Sequence, residues 1–158
     1  MSNEFETIDT QLIFADGSTI PAKFHVWDAD PEDQSMIRLE LELPDRHLTR
    51  TDTDYFAALR AIRRELEKEG LRISCYGASK NVYPSNMSLS MGAGEKAYRL
   101  KLGEHANPSD IVFIFDRGPD VMPATIEEQD RFFEEWTKSR MVYTWAACSG
   151  RRWPATRY

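Results

Sequence analysis

Cysteine is nearly missing from this chain: Cys75 and Cys148 are the only two in 158 residues. Two thiols cannot staple a disulfide-dense scaffold, and they cannot fill a four-ligand zinc site by themselves. Histidine is as sparse. His25, His47 and His105 offer no i, i+4 pair and no HExxH, so metal catalysis has no motif here. The acids Asp28, Asp30, Glu32 and Asp33 lack the central Gly and terminal Glu of a calcium loop. Met91-Gly-Ala-Gly94 lacks the third glycine of a dinucleotide fingerprint, and no Walker A sequence occurs. No resident metal or cofactor is expected. No apolar run approaches the roughly 20 residues of a membrane span. Met1 to Asp9 is acidic and lacks the basic-then-apolar order of a signal peptide, which predicts a cytoplasmic protein.

What remains is an ordinary globular composition, 41% apolar and 29% charged, with a net charge of −6. A domain of this length buries roughly two-thirds of its unfolded surface and needs no covalent staple. The charge is unevenly placed. Residues 1–59 hold 13 acids against 4 bases, and residues 116–135 hold 7 against 2. From Trp136 onward there are 5 bases and no acid. Acidic surface repels phosphate backbones, so nucleic acid is not an expected partner.

The pattern predicts an α+β fold. It begins as an antiparallel N-terminal strand meander, continues in further strands, and packs two main helices on one face. Ile8, Leu12 and Phe14 share one parity with Thr10 between them, and Asp16-Gly17 signals a hairpin turn. Phe24 and Val26 alternate with Lys23 and His25; Ile37, Leu39, Leu41 and Leu43 alternate with Arg38, Glu40 and Glu42. Thr51 to Asp54 reads as a helix start. Tyr55, Leu59, Ile62 and Leu66 then form one helix face, and Gly70 is the stop. Leu71, Ile73 and Cys75 alternate as a fourth strand, and Ala97–Leu102 is a fifth. Ile111–Phe115 is an apolar run that reads either as a central strand or as a buried helical turn. Thr125-Ile-Glu-Glu128 is a capping box opening the last clear helix, whose stripe includes Ile126, Gln129, Phe133 and Trp136. The domain is expected to span residues 1–140. Residues 141–158, with Tyr143, Trp145, Trp153 and Tyr158, read as an aromatic, Arg-rich extension.

Residues 77–94 read as a long loop with room for a short helix after Pro84, and long loops are where scaffolds display binding groups. Tyr76, Ser79, Lys80, Asn81, Tyr83 and Ser85 crowd into it. Backbone N–H groups at Gly77, Gly92 and Gly94, with the Lys80 charge, suggest an anion nest. Asp116, closing the Ile111–Phe115 run, is the best isolated acid for a site. Cys75 falls on the apolar parity of its strand and reads as a buried small hydrophobe rather than a nucleophile. No catalytic residue is assigned.

The text Cys75-Tyr-Gly-x-Ser-x-Asn-Val-Tyr-Pro-Ser-x-Met87, followed by Met91-Gly-x-Gly-x-x-Ala-Tyr98, resembles a group of small uncharacterised bacterial single-domain proteins. So do Ile111–Asp116, Gly-Pro-Asp-Val and Ala124-Thr-x-x-Glu-Gln129. The resemblance covers about residues 55–139. It implies a bacterial, single-domain protein, and it supplies no activity and no catalytic residue.

Three functional expectations follow. The first is a non-enzymatic protein-binding module, an inhibitor or immunity-like protein, whose acidic surface steers it toward a basic toxin. The second is a small-molecule or nucleotide-related binder or enzyme holding an anionic group on the 76–94 loop. The third is an assembly component with its aromatic tail buried in a neighbour.

Overall fold

The computed structural model describes residues 4–150, with side chains described through Ser139. The fold is α+β. Strands β1 (Glu6–Ile13), β2 (Thr19–Trp27), β3 (Ile37–Glu42) and β4 (His47–Asp52) run antiparallel in sequence order, and β5 (Arg72–Ile73) pairs with β1. The five-stranded order is β4-β3-β2-β1-β5. A second, three-stranded antiparallel sheet joins β6 (Val82–Tyr83), β7 (Lys96–Arg99) and β8 (Ile111–Phe113). The helices are α1 (Tyr55–Glu67), the short α2 (Asn86–Met91) and α3 (Ile126–Gly150). Among the described residues, no helix is long and apolar enough to cross a membrane.

The meander forms as its alternation dictates. Leu12, Phe24, Leu39 and Leu41 are fully buried, while their neighbours Lys23, Glu40 and Glu42 face outward. Gly17 makes the first turn at φ +90°, and the Asp16 carboxylate accepts from the Ser18 N–H and hydroxyl at 2.9 and 2.6 Å. Onto this face α1 lays Tyr55, Leu59, Ile62 and Leu66, each at most 1% exposed. Burying each such side chain contributes about 1.5–3 kcal/mol. Leu71 N–H then bonds the Leu66 carbonyl at 3.0 Å around Gly70, which ends the helix at φ +75°.

Several local expectations shift. The sequence places a helix start at Thr51, but residues 47–52 form β4, and the true cap is Asp54, whose carboxylate accepts from Ala57 N–H at 2.8 Å. β4 is an edge strand, polar on one face and only half-buried on the other, so its composition hides it. The fourth strand is real in parity, with Leu71, Ile73 and Cys75 all buried, but only Arg72–Ile73 pair. The fifth strand is shorter than Ala97–Leu102, at Lys96–Arg99. The Ile111–Phe115 run is a strand to Phe113 and then a turn that drives Ile114 and Phe115 fully into the core. The capping box of α3 is present: Thr125 N–H donates to Glu128 at 2.8 Å, and Glu128 N–H donates to the Thr125 hydroxyl at 3.1 Å.

The division at residue 140 does not coincide with a break in structure, since α3 continues through it to Gly150. The side chains of the aromatic tail up to residue 150, Cys148 among them, and all of residues 151–158 lie outside the described residues.

Candidate functional site

The 76–94 segment is built, not loose. A 3-10 turn at Tyr76–Ala78, strand β6 and helix α2 fill it. Its first half is clamped from below by two polar side chains. Arg63 on α1 is 2% exposed and Gln129 on α3 is fully buried. Arg63 Nη1 donates to Gln129 Oε1 at 2.6 Å, and its Nη2 donates to the Ala124 carbonyl at 3.0 Å. The Gln129 amide nitrogen lies within 3.0, 3.0 and 2.8 Å of the carbonyls of Gly77, Ser79 and Val82. These carbonyls turn inward, away from the β6–β7 pairing; the two amide N–H donors are shared among them, and Arg63 Nη1 also reaches the Gly77 carbonyl at 3.3 Å. Burial pulls the Arg63 pKa down to about 10, so it stays charged at neutral pH.

The predicted residues therefore divide among several surroundings. Tyr76 is nearly buried, and its hydroxyl donates to Asp120 at 2.5 Å; Arg99 donates to the same carboxylate at 2.9 Å. The Tyr76 hydrogen bond and the Arg99 charge hold the Asp120 carboxyl below its usual range. A Cβ at Gly118 would overlap the Tyr76 hydroxyl, so the turn approaches the ring through a glycine. Ser79 is fully buried, receives the Met122 N–H at 2.9 Å and donates to Asn81 at 3.1 Å. Asn81 pairs with Leu100 through its backbone carbonyl at 2.7 Å. Tyr83 stacks on Phe133 at 4.0 Å and meets Phe56 edge-on. Asp116 is exposed and meets Tyr76 through backbone alone, its carbonyl accepting the Tyr76 N–H at 2.9 Å. Lys80 is exposed.

The anion nest loses its donors. Gly77 N–H bonds the Ile114 carbonyl at 2.8 Å, and the N–H groups of Gly92 and Gly94 both bond the Ser88 carbonyl at 2.9 Å. All three N–H groups close local structure, and none points at an open site. Cys75 is fully buried, and burial pushes its thiol up to about 11, the opposite of an activated nucleophile.

Among the described residues, two concave surfaces border this segment, and a third, of about 390 Å³, lies apart from it on the outer meander beside Lys23, Glu42 and Arg117. One, of about 630 Å³, lies between α1 and α3, where Arg60 and Arg64 meet Asp52, Asp130 and Glu134 beside the Tyr83–Phe133 pair. Its charges nearly cancel, and Arg60 is already bound to Asp130 at 2.6 Å. The other, of about 460 Å³, is the groove between α2 and the β7–β8 pair. Ser85 caps α2 by accepting the Ser88 N–H at 3.0 Å, and the Ser88 hydroxyl donates to the Lys96 carbonyl at 2.6 Å, tying the helix to β7. Met87 and Met91, one helical turn apart, are 69% and 82% exposed, and Ile111 across the groove is 41% exposed. Tyr98 pairs with Ile111 in register and shares the lining. Ser85 and Gly92 are the two predicted residues that reach this groove.

Sequence reasoning missed Met87, Met91, Ile111 and Glu95. The usable signal was the Met-x-x-x-Met spacing on a short helix whose other residues, Leu89 apart, are small and polar. Among the described residues, no group of three or more His, Cys, Asp or Glu is arranged to hold a metal ion. No protein-family model matches the chain, and comparison with curated proteins gives no match.

Proposed function

We propose that this chain is a non-enzymatic protein-binding module of the inhibitor or immunity type, acting by covering a partner protein with the α2/β7–β8 groove. The observation that carries this reading is the exposure of Met87, Met91 and Ile111 around one groove. A six-residue helix that buries none of its own residues yet presents two methionines outward has an apolar surface in search of a cover. Methionine suits such a surface because its flexible thioether repacks against an incoming side chain. The acidic N-terminal surface adds long-range attraction for a basic partner. The anionic-ligand alternative is weakened by the engagement of the glycine N–H groups and by the balanced charge of the α1–α3 cleft.

The test is affinity purification of the tagged full chain from its native host, run beside Met87→Glu/Met91→Glu. Both positions are exposed, so the pair leaves the core intact. A stoichiometric protein retained by the parent and lost by the variant is the expected result. A co-purifying small anion with no protein partner would transfer the function to the ligand reading.

A further inference from the structure

We infer that the α2/β7–β8 groove receives a basic, apolar segment of a partner protein, with a lysine or arginine of that segment seated against Glu95. This rests on the protein-binding reading and names the chemistry of the partner. Glu95 lines the groove, half-buried, where the chain leaves α2 for β7. Its carboxylate accepts no hydrogen bond and forms no ion pair with any other described residue. Its backbone is fixed, the carbonyl accepting Ile114 N–H at 2.8 Å, so the side chain cannot drift far from the groove. Partial burial raises its pKa first, and the carboxylates of Asp28, at the end of β2, and Glu6, at the start of β1, raise it further. Lys96 is the base on the same lining and lowers it in part.

Glu95 is the one acid on the lining, with Glu6 and Asp28 close enough to add to its field and Lys96 the one base, while Met87, Met91, Ala97, Tyr98 and Ile111 supply the apolar part. A half-desolvated carboxylate without a donor is penalised in the isolated chain. An apolar neutral segment would bury it further and raise that penalty; an anionic segment would add repulsion. A segment carrying a cation beside its apolar residues covers the methionines and gives Glu95 a charge-assisted hydrogen bond in one act. A second copy of this chain fits poorly, because its own strip arrives with the same carboxylate.

The probe is a pair of N-acetylated, C-amidated nonapeptides of equal leucine content, one carrying two lysines and the other two glutamates at the same positions. Binding is read from the methionine methyl resonances of the full chain at physiological salt. The expected result is saturable shifts of the Met87 and Met91 methyls with the lysine peptide alone. In Glu95→Gln that affinity falls about five-fold, the worth of one partly exposed ion pair. Equal binding of the glutamate peptide, no shift at millimolar peptide, or indifference to Glu95→Gln overturns the inference. So do methyl shifts that follow protein concentration without peptide, which would assign the groove to self-association. A host partner lost by Met87→Glu/Met91→Glu but indifferent to Glu95→Gln removes the cation and keeps the protein-binding reading. Peptide selectivity without any host protein partner does the reverse.

Discussion

Arg63 donates to the Gln129 side-chain carbonyl at 2.6 Å, and through that contact α1, α3 and the 77–83 segment become one unit. Arg63 is placed by the buried stripe of α1, Gln129 by the buried stripe of α3, and the carbonyls between them by a chain that turns inward before and within β6. Each member satisfies the others, and removing any one strands the rest.

Gln129→Leu should therefore be far more damaging than its similar volume suggests. It leaves a buried guanidinium short of an acceptor and the Ser79 and Val82 carbonyls without the amide donor, with Gly77 keeping only its 3.3 Å contact to Arg63. A loss of about 3 kcal/mol is expected from breaking a charge-assisted buried network. Urea unfolding would measure it, and amide exchange at Lys80 and Val82, whose N–H groups bond the Met122 and Ser79 carbonyls, should accelerate more than exchange in the meander. A loss under about 1 kcal/mol would show that the clamp is ornamental.

Cys75 should be inert in the folded state. Its thiol is fully buried and its pKa stands at about 11. In a Cys148→Ser background, which leaves one thiol, Ellman's reagent at pH 8 is expected to label the protein only on unfolding. Stoichiometric labelling of the native protein would reopen the nucleophile.

Periodicity made the meander, α1 and α3 legible, because in each a single buried face repeats over enough residues to leave a pattern. Ile37 to Leu43 and Tyr55 to Leu66 are the clearest cases. β4 was hidden because an edge strand carries polar side chains, and its Thr51–Asp54 end mimics a cap. The 76–94 segment misled for another reason. Its serines, asparagines and glycines satisfy one another and the interior, so the polarity that looked like display is local hydrogen bonding. Gln129 stood in the apolar stripe of α3 in plain view, yet only the folded arrangement reveals which carbonyls it serves. The groove was missed because its parts, Met87, Met91, Tyr98 and Ile111, come from three elements that only tertiary pairing brings together.

His47 should give the outer sheet face a measurable pH dependence. Its Nδ1 lies 2.6 Å from Glu40, and that hydrogen bond raises the imidazole pKa above its usual 6.5. Because the folded value is raised, the stabilisation is fully present below about 6.5 and is lost as pH rises through the folded pKa. The difference in urea midpoint between the parent and His47→Gln should thus be largest at pH 5.5 and vanish by pH 9. An equal difference at both would deny the ionic part of the contact.

Glu95 should reveal itself as a residue kept against the interest of stability. Its folded pKa is raised by partial burial and by Asp28 and Glu6, so the charged form is the disfavoured one. The sign is opposite to that of a structural salt bridge: the penalty is absent below about 4.5, the unfolded value, and builds as pH rises through the folded pKa. Glu95→Gln removes the charge and keeps the shape, so the variant should be more stable than the parent at pH 7 and equal to it at pH 4. Paired urea titrations at the two pH values decide the matter. A variant less stable at pH 7 would mean that the carboxylate has a stabilising partner within the chain, and the groove would then have no free charge to offer. A gain at pH 7 that is reversed when the lysine peptide is bound would tie the stability cost directly to the act of binding, since the same carboxylate would then be worth more charged than neutral.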